Sequence, residues 1–513
     1  MAITAGVGDV AQRASWDKPA TADLGLPTET WRETVARRDR FNALRKRLAD
    51  GEIAEPDGLV TANLDIARFV QDAIQRASED QLKAWWSALS SLTVLDPACG
   101  SGAFLFAALN LLEPLYTKVF EAMQTTVADA QRAAEHAGRS FEKGRWKPLT
   151  DVLEEAAGHA NSAYFVLRSI ALNNLYGVDI MEEAAEICKL RLFLKLVAQL
   201  DDVDRIEPLP DLDFNIRSGN SLVGIVADAD FDRVKQKPLD FGAIRLRIRE
   251  EAEIADQAFQ RFRSVQIVGA PSAEELRALK DELGLRLAQV ASECNRWVAR
   301  GYGVDPDDAP AFQRWCATHE PFNWFTEFMG VMKAGGFDVV IGNPPFLEAS
   351  EVPYSIGSFA TSESRAVHGV FVERFSNLRS AEGSIGIVLP MSIVSTQRMR
   401  VVQQQLESDA TCVYANFSWR PATLFDGVNR AITIAISLRS TGSQRFSTGY
   451  VRWNSDSRDH LTNRLALHRV PSTWNSWSVP KISSVLEDEL VEAMRRGGQE
   501  FGLSLSGRTN PVF

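Results

Sequence analysis

Apolar positions along this chain follow two rhythms. Short unbroken apolar runs, flanked by Gly, Pro, Asn or Asp, read as buried strands. They occur at 92–96, 174–179, 214–217, 337–342, 384–390, 411–417 and 431–436. Between them apolar residues recur every three to four positions, the period of a helix with one buried face. Such patterns predict helices over 30–50, with Thr28 or Thr30 as cap, and over 64–88, with Leu64, Phe69, Val70 and Ile74 at helical spacing. They also predict helices from Ala103 to Tyr116 and from Glu182 to Leu200, the last with Ile187, Leu190, Leu194 and Val197 on one side. Strand, helix, strand, helix in this order predicts an α/β fold with a doubly wound parallel sheet. Residues 1–30 lack periodicity and are expected to form a loose arm. Residues 228–320 read as a long helical insertion, broken at Gly269-Ala270-Pro271. Residues 440–513 are polar and aromatic with weak periodicity, and end at Asn510-Pro511-Val512-Phe513 without a closing element.

Composition narrows the class. A chain of 513 residues has room for roughly two to four domains, and 45% apolar with 24% charged residues is the balance of an ordinary soluble protein. No apolar run approaches the roughly 20 residues that span a bilayer, and the N-terminus lacks a signal-peptide pattern, so no membrane partner is expected. Five scattered cysteines and six isolated histidines form no C-x-x-C pair or ligand cluster. The expectation is therefore no metal and a reducing, cytoplasmic setting. A net charge of −11 would repel a polyanion, so contact with nucleic acid needs a local basic surface or a second subunit. The helix over 30–50, crowded with Arg37, Arg38, Arg40, Arg45, Lys46 and Arg47, is either a solvated face or a phosphate-tracking patch.

Candidate chemistry gathers where strands end. The run Phe337 to Gly342 stops in Asn343-Pro344-Pro345-Phe346. An amide side chain, a rigid carbonyl and a flat ring at one sheet edge suit a planar substrate with an exocyclic amine. The run ending at Asp96 enters Pro97-Ala98-Cys99-Gly100-Ser101-Gly102-Ala103-Phe104, a turn whose glycines admit close approach of a ligand. It lacks the third glycine of a dinucleotide fingerprint and the Lys-Ser/Thr pair of a phosphate loop. Asp179 ends the next run, where a carboxylate can take ribose hydroxyls or cap the following helix. Its distance in sequence from Asp96 far exceeds the usual ~20 residues, the excess being the helical segment 117–170. Asn220 could read an adenine edge or simply serve the turn beside Gly219.

Taken together, these residues resemble the S-adenosylmethionine-dependent DNA adenine-N6 methyltransferases. Asp96 to Phe104 looks like their motif I, Gly177-Val178-Asp179-Ile180 like motif II, Gly219-Asn220-Ser221-Leu222 like motif III, and Asn343 to Phe346 like the catalytic motif IV. Cofactor motifs before the catalytic motif is the gamma arrangement. The nearest group is the Eco57I-like methylases, found in type IIG restriction-modification enzymes and in methylase subunits of phage-defence systems. Pro321-Phe322-Asn323-Trp324-Phe325 and the stretch Arg420 to Asn429 echo the same group. The resemblance covers roughly 55–440. Motif X of the family, Tyr-Thr-Pro, corresponds here to Gly58 to Asn63, where Thr61 matches and the Tyr and Pro are absent.

The resemblance implies a Rossmann-like class I methyltransferase sheet with large helical insertions. It implies S-adenosylmethionine as cofactor, held by Thr61, Asp96, Pro97, Ala98, Gly100, Gly102, Phe104, Asp179, Ile180, Asn220 and Leu222. Asn343, Pro344, Pro345 and Phe346 are then catalytic, and the partner is double-stranded DNA with a flipped adenine. The implied domains are an arm and basic helix (1–55), a cofactor half (56–227), a helical insertion (228–320), a catalytic half (321–440) and a C-terminal segment (441–513). In this family target recognition follows the catalytic half as a separate domain. Either a separate specificity or defence-complex subunit supplies it, or the chain is a split or truncated form. Cytosine-C5 methylation is excluded by the lack of a Pro-Cys dipeptide. Nothing before residue 55 looks like a nuclease, so the chain is not expected to cut DNA. Methyltransferases of RNA guanine or protein glutamine share the Asn-Pro-Pro-aromatic tetrapeptide, and a non-catalytic DNA-binding subunit is a rival of another class.

Overall fold

A computed structural model describes residues 13–200, 210–233, 241–268, 273–357, 359–440, 442–470, 477–482 and 487. The chain forms two compact units, 67–387 and 1–66 with 388–513. In the first, the buried runs form strands β1 (Val94–Asp96), β2 (Leu175–Asp179), β3 (Ile216–Ser218), β4 (Phe337–Gly342) and the start of β5 (Arg379–Pro390), in spatial order β3-β2-β1-β4-β5. All pairings here are parallel, with Leu95 beside Tyr176 on one side and Val340 on the other. From β1 the chain winds outward through β2 and β3, and after the insertion it returns to the other side of β1 as β4. The strand order thus reverses between β1 and β4. In an open α/β sheet, ligands sit outside the carboxyl ends of the strands at such a switch point.

Helix Ala103–His136 follows β1 and runs well beyond the expected Tyr116. Among the described helices it alone is long and apolar enough to cross a bilayer. Its apolar stripe instead packs inward: Leu105, Leu109, Leu112, Tyr116, Val119, Phe120 and Met123 join one core with helix Ser162–Asn173. Each such large side chain contributes about 1.5–3 kcal/mol by leaving water. The single helix expected over 64–88 is two helices, Ile66–Gln75 and Glu79–Ser91. Ser78 stops continuation, because its hydroxyl and the Gln81 side chain form a reciprocal capping box. The helix Glu182–Val197 also corrects its expected face. Ile187, Leu190, Leu194 and Val197 are exposed, while Ala185, Cys188, Leu192 and Leu196 are buried. The smaller residues of that second stripe let the helix approach the sheet closely.

The insertion contains helices Phe241–Val268 and Ala273–Gly301, which pack on each other through two small cores around Ile248, Val290, Trp297, Phe262 and Leu283. The Gly269-Ala270-Pro271 break and the last residues, 510–513, lie outside the described residues. In the second unit, β6 (Ala410–Phe417) is antiparallel to β7 (Ile432–Arg439) and parallel to β8 (Gln444–Val451), and β8 is antiparallel to β9 (His468–Arg469). The strands are therefore of mixed direction. The region after 440, read from sequence as weakly periodic, holds a full strand in β8, where Phe446, Ser447, Tyr450 and Val451 pair along β6.

Candidate active site at the switch point

The carboxyl ends of β1 and β4 lie side by side. Asp96 closes β1 and is 1% exposed. Gly342 closes β4, and a Cβ there would stand 2.6 Å from Asp96 Oδ1, so only glycine lets the two strand ends meet. Asn343 follows at once, half-buried, and its Oδ1 is buried without a hydrogen-bond partner among the described residues. An unsatisfied buried acceptor costs about 1–3 kcal/mol, which makes this oxygen a candidate to accept from a ligand. Pro344 is buried, Pro345 exposed and Phe346 half-buried. The ring of Phe346 meets His368 edge to face, with centroids 5.9 Å apart and planes at 79°.

The turn after β1 is held from three sides. Asp96 Oδ1 accepts from the Ala98 N–H at 3.1 Å, and the Cys99 N–H donates to the Val178 carbonyl. Asp179 Oδ2 accepts from the Gly100 N–H at 2.8 Å, and its Oδ1 accepts from the Met181 N–H at 2.9 Å. Asp179 therefore fixes the turn and also serves the start of the next helix, with lone pairs on both oxygens still free. Gly100 and Gly102 both have positive φ, +51° and +78°. A Cβ at Gly102 would lie 2.3 Å from Cys188 Sγ, whereas one at Gly100 would meet no described heavy atom within 4 Å. The first glycine thus faces open space and the second allows helix packing. Phe104 is half-buried and Ile180 exposed beside this space.

Electrostatics agree with a closed, polar-lined edge. Burial pushes the Asp96 carboxyl up to about 7; the Ala98 N–H opposes this and the neighbouring Asp179 carboxylate adds to it. The Cys99 thiol is pushed far up by its hydrogen bond with Cys188 and by burial, so no thiolate is poised here for covalent attack. Among the described residues no group of three or more His, Cys, Asp or Glu is placed to hold a metal. A separate cavity of about 630 Å³ opens at the opposite, amino edge of these strands, beside Thr93, Asp338 and Ser380, away from Asn343.

The segment after β3 completes the edge. Asn220 is 2% exposed; its Oδ1 accepts from the Leu222 N–H at 3.0 Å and its Nδ2 lacks a well-formed hydrogen bond beside the Tyr354 phenol. Leu222 is buried. Thr61 belongs to the other unit, where its hydroxyl donates to the Asp57 carbonyl of its own helix at 2.8 Å.

Comparison with known proteins fits this geometry. Residues 173–418 match the Eco57I restriction-modification methylase family, and residues 71–212 match the MmeI DNA-methyltransferase domain. Together the two matches cover residues 71–418. Over 371 residues, 63% of this chain, the sequence is 25% identical to a Methanocaldococcus jannaschii protein assigned as a type II restriction enzyme and methyltransferase. The match spans 28% of that relative's length. Similar solved structures include the DrdV–DNA complex, at 10% identity and TM-score 0.36, covering 78% of this chain and 29% of that one. Another is the type IIL restriction-modification enzyme MmeI in complex with DNA, at 11% identity and TM-score 0.36, covering 79% of this chain and 38% of that one.

Several contacts that shape this edge were invisible in the sequence. Ser221 Oγ donates to the Pro97 carbonyl at 2.5 Å, which ties the segment after β3 to the turn after β1. Arg374 Nη2 donates to the Leu222 carbonyl at 2.9 Å. The echo Pro321 to Phe325 acquires a definite role: the Phe322 N–H bonds the Val223 carbonyl, the Phe325 N–H bonds the Ile225 carbonyl, and Trp324 Nε1 bonds the Ser221 carbonyl. Gly224 must be glycine there, since a Cβ would stand 2.0 Å from the Phe322 carbonyl oxygen. Each of these contacts joins residues some 100 or more positions apart, beyond any local pattern.

Proposed function

We propose that the chain transfers a methyl group from S-adenosylmethionine to the N6 amine of a flipped-out adenine in DNA, within a restriction-modification or phage-defence system. The observation that carries this reading is the buried Oδ1 of Asn343 at the sheet switch point, unpartnered among the described residues. The adenine N6 lone pair is delocalised into the ring and nucleophilically weak. Two fixed acceptors aimed at its hydrogens draw density onto nitrogen and favour the pyramidal transition state. The Asn343 amide oxygen is one acceptor. The Pro344 carbonyl is the other, and the proline ring holds its φ near −65° beforehand. Phe346, backed by His368, offers a face for the base. A base inside a duplex cannot reach this edge and must leave the stack.

The residues present fit the cofactor. Gly100 opens onto free space, Asp179 keeps lone pairs for ribose hydroxyls, and Asn220 carries an unsatisfied amide. When bound, S-adenosylmethionine supplies an activated methyl on a sulfonium. Positioning by this chain then accounts for much of the remaining acceleration.

Tritium transfer from labelled cofactor to duplex DNA, RNA or release-factor protein tests the substrate. Label is expected in N6-methyladenine of DNA; label in RNA guanine or protein glutamine would replace the reading. Asp179→Ala is expected to weaken cofactor affinity roughly ten- to a hundredfold, through the lost ribose acceptor, worth about 1.5–3 kcal/mol as a charge-assisted bond. Isothermal calorimetry with S-adenosylmethionine reads this directly. Wild-type affinity in that variant would remove Asp179 from the cofactor site.

A further inference from the structure

The basic helix noted in the sequence has a structure that the methyl-transfer site does not use. Helix Trp31–Ala49 starts at Thr30 with a complete capping box, so it is a firmly ended element. It carries seven basic residues against two acidic ones, a surplus of five positive charges in a chain of net −11. A merely solvated helix usually matches its cations with acids three or four positions away. Here Arg37 is paired with the buried Glu29 and Arg47 with the exposed Glu52, but Arg38, Arg40, Arg45 and Lys46 have no ion pair among the described residues. Arg40 is half-buried all the same. Desolvation lowers its pKa, Glu29 partly opposes this, and Arg37 adds to it. Glu29 compensates this burial only in part, which leaves the cation able to take a further counter-charge.

That counter-charge has a place to sit. Within the same unit a cavity of about 710 Å³ lies between this helix and the segment 463–468, with Arg37, Arg38, Arg40, Phe41 and Arg47 on its helical wall. Asp65 lines it too, on the far side, together with Asn63. Asn63 pins the walls together by donating from Nδ2 to the Thr462 carbonyl at 2.8 Å, and Arg464 closes the end by pairing with Glu33 at 3.1 Å. Arg38 and Arg45 are seven residues apart, as are Arg40 and Arg47. Seven residues advance about 10 Å along a helix, close to three steps of a duplex strand at about 3.4 Å each. Phe41, 62% exposed, stands between these cations as an apolar surface for sugar or base.

We infer that this groove and the adjoining helix surface are a docking site for the phosphodiester backbone of duplex DNA, with Arg38 and Arg40 in the groove and Arg45 beside it contacting phosphates without reading sequence. The inference rests on the proposed function for the choice of DNA as the polyanion. It also accounts for how an acidic chain holds DNA: the attraction is confined to one helix.

The test is fluorescence anisotropy with labelled duplexes of unrelated sequence, without cofactor, as salt is raised from about 50 to 200 mM. The full chain carrying Arg38→Gln, Arg40→Gln and Arg45→Gln together is compared with wild type. The expected result is binding at least about tenfold weaker on every duplex and a log K against log salt slope shallower by roughly two to three, one per lost phosphate contact. Lysine at the same three positions keeps the charge and is expected to restore the slope. An unchanged circular-dichroism spectrum and melting temperature show that the variant folds. An unchanged slope in the glutamine variant overturns the inference, as does displacement by duplex RNA stronger than by duplex DNA. If the slope falls as expected while wild-type protein methylates no adenine, the groove stands and the proposed function fails. If wild-type protein methylates adenine while the slope is unchanged, the proposed function stands and the groove fails.

Discussion

Asn343→Ala is expected to lower methyl transfer by at least about 10²–10³-fold, the scale seen when one preorganised polar group is removed from a transition state, with cofactor affinity within about twofold of wild type. Its Oδ1 is buried and without a hydrogen-bond partner among the described residues. Asn343 makes none of the contacts that fix the turn after β1, which run through Asp96, Asp179, Val178 and Ser221. The variant should therefore separate chemistry from cofactor binding. It should also be slightly more stable than wild type. Removing an unsatisfied buried acceptor relieves about 1–3 kcal/mol, offset in part by the small cavity left behind. A rise in melting temperature together with lost activity is the signature of a group kept for function at the expense of stability. Asn343→Asp retains an acceptor oxygen and should keep partial activity. Tritium transfer, calorimetry with S-adenosylmethionine and thermal melts on the same preparations read all three quantities. Undiminished transfer in the alanine variant would take Asn343 out of the chemistry.

Much of this site could be read locally because its residues terminate buried strands. β4 runs Phe337–Gly342 as the apolar pattern dictates, and the tetrapeptide that follows is contiguous. β1 and β2 likewise end at Asp96 and Asp179, as the apolar runs indicate. Long-range pairing was not legible. Nothing in the sequence near Gly342 says that Asp96 will stand against it, or that Ser221 will reach Pro97. Periodicity also misled where two apolar stripes share a helix. On Glu182–Val197 the larger residues suggested the buried face, yet the sheet took the face with the smaller ones, around Ala185 and Cys188. The helix expected over 64–88 failed for a local reason that was available: Ser78 followed by Gln81 is a start signal inside an apparently continuous pattern. The strand β8 was missed because Phe446 is its main apolar contribution, and its buried Ser447 and Thr448 are polar.

The buried Asp96 should leave a pH signature in stability, and its sign follows from linkage. The carboxyl has an unfolded pKa of about 3.9 and a folded value pushed up to about 7, chiefly by burial, with the Ala98 N–H opposing and Asp179 adding. Between these values the folded chain holds a proton that the unfolded chain has released, so folding stability falls as pH rises. Below pH ~4 both states are protonated and the penalty is absent; above pH ~7 both are ionised and it is complete, at roughly 4 kcal/mol for about three pKa units. Asp96→Asn has no such titration and can still accept from the Ala98 N–H. Its stability relative to wild type should therefore increase by about 3 kcal/mol between pH 5 and pH 8, measured by urea unfolding followed through tryptophan fluorescence. Adding S-adenosylmethionine, whose positive charges favour an ionised neighbour, should shrink the wild-type slope, because the penalty is then offset on the folded side. A stability difference that stays flat from pH 5 to pH 8 would mean that Asp96 is ionised throughout. The strand end at the switch point would then be far more polar than its burial implies.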